Sequence, residues 1–436
     1  MFRGKLSKKA VSGLRIHELF KTIRNKRPEI QKSHKPETTN QRPETRSLKC
    51  NGIPMETQHR VVLSDSRRMN RIKDESIDLV VTSPPYPMIR MWDGLFSSIS
   101  PDAKNALENN DGNGAFEAMH LELDKVWHEL HRVLKEGSFA CINIGDAVRT
   151  IGDRFQLYPN HSRIISSFSA IGFDCLPVIL WRKQTNAPNK FMGSGMLPAG
   201  AYVTLEHEYI LIFRKGAKRE FGTDSEKSSR MRSSFFWEER NKWFSDIWDF
   251  KGTSQELNNP ELRKRSAAYP LELASRLINM YSLYEETVLD PFLGTGTTIL
   301  ANIACARNSI GFEIDKAFSS FVPAQAASFQ ALADELLSAR ISRHNEFVSS
   351  YTESKGPMKY INGPHGFPVV TRQETGIQLY RVRDVVSTDE SLIQVSYEPL
   401  GRLGDISGTN TFESLISPDS VGKQLKMFGR EGHGQY

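Results

Sequence analysis

The sequence predicts an α/β fold built on a mostly parallel sheet, and three observations lead there. Short β-branched runs alternate with stretches of helical apolar spacing, the pattern of strand-helix-strand crossovers. Thr287-Val288-Leu289-Asp290 enters a turn containing Gly294 and Gly296, and the acids Glu313 and Asp315 follow about 20 residues later, the spacing at which a nucleotide fold sets a carboxylate on ribose hydroxyls. Ile77 to Thr82 runs into Ser83-Pro84-Pro85-Tyr86; proline cannot donate to a sheet ladder and pushes the preceding residue out of the helical region, so the strand must stop at Ser83 in a stiff loop. Such loops, at the carboxyl ends of strands, are where open sheets carry their chemistry.

Taken in order, Arg60 to Leu63 reads as a short strand with Asp65 at its carboxyl end, followed by a polar connection whose Met69 and Ile72 have helical spacing. Asp65 is then either a ligand contact or the cap of a helix after it. Beyond the Ser83 loop, Phe116, Met119, Leu123, Val126, Trp127, Leu130 and Leu134 lie on one helix face, with Gly137 as a natural stop and Ser138 to Ile144 as the next strand. Phe173 to Trp181 and Glu208 to Phe213 read as strands able to form an antiparallel edge of the same sheet, and Asn186 to Gly200 between them reads as a long loop. Residues 217–265 hold eight aromatics (Phe221, Phe235, Phe236, Trp237, Trp243, Phe244, Trp248 and Phe250) among 11 Lys/Arg. Such a mixture suits either a surface that tracks phosphates and stacks on bases, at roughly 1–3 kcal/mol per stack, or the core of an inserted subdomain. A helix through Leu273, Leu277 and Ile278 leads to the glycine turn, an Ala-rich helix and the strand Ser309 to Asp315. Gly376 to Val382 and Ser391 to Tyr397 read as the two strands of a hairpin.

Bulk properties bound the function. At 436 residues the chain suffices for one large or two ordinary domains. No apolar stretch approaches a membrane span and Met1 to Ala10 lacks a signal-peptide core, which gives the expectation of a cytoplasmic, non-membrane protein. Cys50, Cys141, Cys175 and Cys305 are scattered, and His128 and His131 lack a zinc-binding spacing, so neither a disulfide framework nor a metal site is expected. Of the net charge of +6, residues 1–50 contribute about +10 from 14 Lys/Arg against 4 Asp/Glu, leaving the rest near −4. The basic excess is a tail property, expected to be disordered, and a start at Met55 would cost no recognisable part of the fold.

The turn itself narrows the ligand. A dinucleotide site wants a third glycine where Ile299 stands, and a phosphate-binding loop wants Gly-Lys where Gly296-Thr297 stands. Neither pyrophosphate motif is completed, and a nucleoside without phosphates, S-adenosylmethionine, fits what remains.

Together, Asp290-Pro291-Phe292-Leu293-Gly294-Thr295-Gly296 and Ser83-Pro84-Pro85-Tyr86 resemble the cofactor and catalytic motifs of the S-adenosylmethionine-dependent DNA methyltransferases that modify exocyclic amino groups. The catalytic motif precedes the cofactor motif by roughly 200 residues, the permuted order of the family's beta class, and the resemblance covers about residues 58–335. Segments around Glu129 to Gly137, Ile142 to Asp146, Gly172 to Lys183 and His207 to Phe213 follow the family's order, whereas Arg265-Ser266-Ala267-Ala268-Tyr269-Pro270 departs from its usual His-Pro step.

The resemblance implies a Rossmann-like methyltransferase fold, α/β, with a mostly parallel sheet, an antiparallel edge and circularly permuted motif order. It implies a basic tail (1–55), a catalytic half (56–216), a candidate target-recognition region (217–265), a cofactor-binding half (266–338) and an accessory C-terminal region (339–436). Ser83, Pro84, Pro85 and Tyr86 become the candidate catalytic residues; Asp65, Asp290, Pro291, Phe292, Gly294, Gly296, Thr297, Glu313 and Asp315 become the candidate cofactor contacts. Asp315 either shares the ribose with Glu313 or faces solvent. The implied substrate is a flipped base in double-stranded DNA, and the implied setting a restriction-modification system whose endonuclease is a partner without direct contact. Serine at the first catalytic position resembles the cytosine-N4 enzymes, with adenine-N6 as the alternative and RNA methylation or a non-catalytic DNA-binding relative behind it. The recognised sequence and the oligomeric state are left open.

Overall fold

The computed structural model describes residues 55–183, 192–252, 269–318, 321–388 and 391–402. The expectations for the basic tail, for the first part of the Asn186 loop, for residues 253–265 and for Arg265 to Ala268 lie outside these residues.

One sheet organises the described chain. Its strands are β1 (Met55–Leu63), β2 (Ile77–Thr82), β3 (Leu134–Ile144), β4 (Phe173–Arg182), β5 (His207–Lys215), β6 (Ile247–Asp249), β7 (Thr287–Asp290), β8 (Asn308–Glu313), β9 (Tyr380–Ser387) and β10 (Leu392–Pro399). They lie in the order β6-β4-β5-β3-β2-β7-β8-β1-β10-β9. Strands β3, β2, β7, β8 and β1 are mutually parallel, while β5 enters antiparallel between β3 and β4. The mostly parallel sheet with an antiparallel edge is therefore the architecture the sequence predicts.

Alternation along β2 shows why the strand is buried on both faces. Val80 points into a core shared with Met119, Leu123, Val126 and Trp127 of α1 (Gly112–Val133) and with Ile164 and Phe168 of α2 (Asn160–Ile171). Leu79 and Val81 point the other way, against Leu273, Leu277 and Ile278 of α3 (Leu271–Tyr281) and Ala301 of α4 (Thr297–Cys305). Helices on both faces explain the continuous β-branched run that the sequence displays. Between β2 and β7 the winding of the chain reverses, and open sheets keep their ligand crevice at that point, outside the carboxyl ends of the strands.

Several local expectations change. The helix expected to stop at Gly137 ends at Val133, and β3 begins at once. Gly137 sits inside that strand at φ +78, where the pairing of β2 with β3 slips between Ile77 and Leu79; the glycine serves a bulge rather than a helix end. Met69 and Ile72 are buried in a turn-rich connection with no helix, so Asp65 caps none. Ser100 caps a short helix, Pro101–Glu108, that follows another at Asp93–Ile99, and neither announces itself by periodicity.

The aromatics of 217–252 divide. Phe236 is buried with Ile341, Phe367, Val369, Ile377 and Leu379 and stacks on His344 of α5 (Gln330–Lys355). Trp248 is buried beside Trp181 and Leu273, whereas Phe221 lies under Arg219 and Arg230 and Phe244 is exposed. The described part of the C-terminal region does not stand apart from the sheet: its hairpin, β9 and β10, extends it by pairing antiparallel to β1.

Candidate active site

The parallel pairing of β2 with β7 sets Leu79 against Val288 and Val80 against Leu289, so the Ser83 loop and the glycine turn leave adjacent strand ends. A single carboxylate ties them together. Asp290, the last residue of β7, accepts from the Thr82 hydroxyl at 2.6 Å, from the Phe292 backbone N–H at 3.0 Å and from Tyr269 at 3.4 Å, and the Thr298 hydroxyl also donates to it. Burial raises its pKa above the ordinary aspartate value, against these hydrogen bonds. Asp290 thus fixes the relative position of the two loops.

Around this anchor lies a cavity of about 520 Å³. It is bordered by Ser83, Pro84 and Pro85 from one loop and by Asp290, Pro291, Phe292, Gly294 and Thr297 from the other, with Glu313, Asp315 and Asp65 along its far side. The candidates chosen from roughly 200 residues of intervening sequence thus converge on one space. Two of them stand outside its wall. Gly296, at φ +87, caps the start of α4, where a Cβ would come within 2.8 Å of Val322. Tyr86 is not part of its lining, and its hydroxyl is engaged by Ser83, Asn143 and Glu208.

Each acid has a definite local role. Glu313 accepts from the Gly294 N–H and the Asp315 N–H, both at 2.8 Å, and burial raises its pKa above the ordinary glutamate value. Each of its oxygens keeps a lone pair for further donors, such as two ribose hydroxyls. Asp315 accepts from the Ala317 N–H at 3.0 Å in the turn after β8. Asp65 accepts from the Arg67 backbone at 2.9 Å and pairs with its guanidinium at 2.6 Å; burial pushes its carboxyl up, but the Arg67 hydrogen bonds outweigh this and hold it low. Arg67 also reaches Glu122.

The cavity lining therefore sets Asp65, Glu122, Asp290, Glu313 and Asp315 against one arginine already held by two of them. That balance repels a pyrophosphate and favours a nucleoside carrying positive charge. Residues 77–322 match the N6/N4 methyltransferase family, described as DNA methylase. The chain belongs to this family. M.MthZI, a Type II methyltransferase of Methanothermobacter thermautotrophicus, is 53% identical over 331 residues, 76% of this chain and 92% of its own length. M.MjaI, a Type II methyltransferase of Methanocaldococcus jannaschii, is 48% identical over 281 residues, 62% of this chain and 91% of its own length. Among solved structures, TTHA0409 of Thermus thermophilus, complexed with S-adenosyl-L-methionine, is 30% identical and covers 62% of this chain and 95% of its own, with a TM-score of 0.47.

As a DNA amino-methyltransferase the chain uses S-adenosylmethionine and acts on DNA. The acidic lining suits a donor that carries sulfonium and ammonium charges and no phosphate.

Two residues absent from the sequence-based candidates, Asn143 and Glu208, contact Tyr86, and a third, Lys183, holds Glu208. Its hydroxyl lies 3.0 Å from Ser83 Oγ, 2.9 Å from Glu208 Oε2 and 2.8 Å from Asn143 Nδ2. Asn143 Nδ2 also donates to Glu208 at 2.7 Å, and Lys183 pairs with the other Glu208 oxygen. Burial, then the Glu208 charge, hold the Tyr86 phenol well above its ordinary pKa, so it keeps its proton. Among the described residues nothing donates to the Pro84 carbonyl. All three missed residues fall in segments that follow the family's motif order, which was the available signal, but no spacing rule connects positions 143, 183 and 208 to position 86.

Proposed function

We propose that this chain methylates the exocyclic N4 amino group of a cytosine flipped out of duplex DNA, as the modification enzyme of a restriction-modification system. The observation that carries the reading is the convergence of Ser83 and Pro84 with Asp290, Gly294 and Glu313 on one cavity. The amino group of a nucleobase is conjugated and barely nucleophilic, so acceptors must draw its hydrogens and free its lone pair. The Ser83 hydroxyl and the Pro84 carbonyl serve as those acceptors, Pro85 stiffens the loop, and Tyr86 stacks on the base. Flipping the base costs a few kcal/mol, which contacts elsewhere on the DNA offset.

S-adenosylmethionine supplies, when bound, a methyl group made electrophilic by its sulfonium. Asp65, Asp290, Pro291, Phe292, Gly294, Thr297, Glu313 and Asp315 would hold it, with Gly296 shaping the turn from behind the wall. The chain contributes position: an amine kept in line with the methyl reacts without a covalent intermediate. Serine at position 83 favours cytosine over adenine by resemblance, since both bases offer an amino donor to a hydroxyl. The Type II methyltransferases M.MthZI and M.MjaI support the restriction-modification setting; the partner in that setting would be a cognate endonuclease without direct contact with this chain.

The test is nucleoside mass spectrometry of DNA methylated by the purified chain. N4-methylcytosine is the expected product. N6-methyladenine as the sole product would overturn the cytosine assignment while leaving the family intact.

A further inference from the structure

A serine hydroxyl can turn either way, and only one way helps. If Ser83 pointed its proton at the target nitrogen, it would compete with the methyl group for the lone pair that has to react. Its lone pairs must face the amine and its proton must go elsewhere. What sets that direction is legible in the contacts behind it.

Glu208, held by Lys183 on one oxygen, presents a carboxylate oxygen to the Tyr86 hydroxyl at 2.9 Å. A carboxylate accepts only, so the Tyr86 proton points to Glu208. Asn143 Nδ2 donates to both Tyr86 and Glu208, and leaves its own buried Oδ1 without a partner among the described residues. The Tyr86 oxygen then offers nothing but lone pairs, and the Ser83 hydroxyl, 3.0 Å away, must donate to it. Every proton in the chain runs away from the cavity.

We infer that Glu208, acting through Tyr86, is a positioning residue that fixes the Ser83 hydroxyl as an obligate acceptor toward the target amine. The arrangement lets a neutral hydroxyl do the work of a carboxylate. It also gives the Tyr86 hydroxyl a task distinct from that of its ring. Ser83, Tyr86, Asn143 and Glu208 come from the end of β2, the end of β3 and the start of β5, which the sheet order makes neighbours. The inference rests on the reading of Ser83 as the acceptor, and the experiment separates the two.

Tyr86→Phe removes one oxygen and keeps the ring. Turnover is measured as tritium transfer from labelled S-adenosylmethionine to unmethylated phage genomic DNA, and cofactor affinity by titration calorimetry. Losing a charge-assisted hydrogen-bond chain should lower kcat by about 10- to 100-fold, with cofactor affinity and KM for DNA within about twofold. Glu208→Gln, whose amide oxygen can still accept from Tyr86 but carries no charge, should lower kcat in the same direction by less. The double variant should be no slower than Tyr86→Phe alone, since both break one chain. Wild-type kcat in Tyr86→Phe, loss of cofactor affinity alongside kcat, or additive losses in the double variant would each overturn the inference. Ser83→Ala is the separating control. If it retains turnover, the acceptor reading itself falls; if it is inactive while Tyr86→Phe is unaffected, only the orienting chain falls.

Discussion

Where residues 290–296 are shaped by backbone conformation and backbone N–H donors, residues 83–86 are held by side chains that arrive from 57 and 122 positions away. In the glycine turn Leu293 donates its N–H to Phe312 at 2.8 Å, Gly296 to Leu293 at 3.0 Å and Gly294 to Glu313 at 2.8 Å, with φ of +53 at Gly294 and +87 at Gly296. Those φ values favour glycine, so they write themselves into neighbouring letters. The Ser83 loop is stiffened by two prolines, yet its chemical orientation depends on Glu208, Asn143 and Lys183. The contrast teaches that a site can be half specified by local backbone and half by convergence. The first half favours glycine at fixed positions, and the second tolerates no shift between strands.

Asp290 tests this contrast most severely because it belongs to both loops. Asp290→Ala leaves the donors at Thr82, Thr298 and the Phe292 N–H without their buried acceptor. The expected loss is about 2–4 kcal/mol of stability in urea unfolding, together with loss of cofactor binding. A loss under about 1 kcal/mol would mean that the loops are held independently and that the junction between them is not a joint.

The next effect is one of pH and concerns the cofactor side alone. Burial raises the carboxyl pKa of Glu313 above its usual 4.5. The sign follows: the folded chain takes up this proton more readily than the unfolded one, so the contribution to stability is present at acid pH and is lost as pH rises through the raised value. A cationic cofactor reverses the preference, because it favours the ionised form. The stabilisation conferred by S-adenosylmethionine should therefore grow from acid to neutral pH, its affinity changing by as much as about tenfold per pH unit below the raised value. Thermal melts with and without the cofactor measure it. Glu313→Gln should flatten the trend, and a wild-type profile in that variant would remove Glu313 from the cofactor's surroundings.

How much could be read beforehand follows from the same contrast. The parallel sheet, the antiparallel strands β4 and β5, the glycine turn and the Ser83 loop were all legible, because strand periodicity, proline and glycine act on near neighbours. Gly137 misleads because a glycine after an apolar helix face signals a helix end, and nothing local distinguishes that from a bulge. Phe236 and Trp248 are ambiguous in sequence because their partners, Ile341 and Leu273 among them, lie far along the chain. Asp65 reads equally as a cap because the turn it makes with Arg67 resembles a helix start in sequence. Glu208 had no signal of its own: a glutamate at the start of a strand is ordinary until the sheet order brings it to Tyr86.

The smallest expected effect is the most specific to the convergent half. Gly145 follows β3, and a Cβ there would lie 3.1 Å from a Tyr86 ring carbon and 3.3 Å from Glu208 Cγ. Its backbone has little room to withdraw, since Asn160 donates to the Gly145 carbonyl at 2.9 Å and to the Pro87 carbonyl at 3.1 Å, clamping it to the catalytic loop. Relief must come from Tyr86 and Glu208, by a few tenths of an ångström, and that is enough to lengthen the bond to Ser83. Gly145→Ala should thus cost only about 1 kcal/mol of stability, the low end for overpacking, while slowing turnover several-fold with cofactor affinity unchanged. Single-turnover rates with saturating cofactor measure this directly. An unchanged rate would mean that the loop accommodates displacement of Tyr86, and that its orientation is set by Pro84 and Pro85 after all, as locally as the glycine turn.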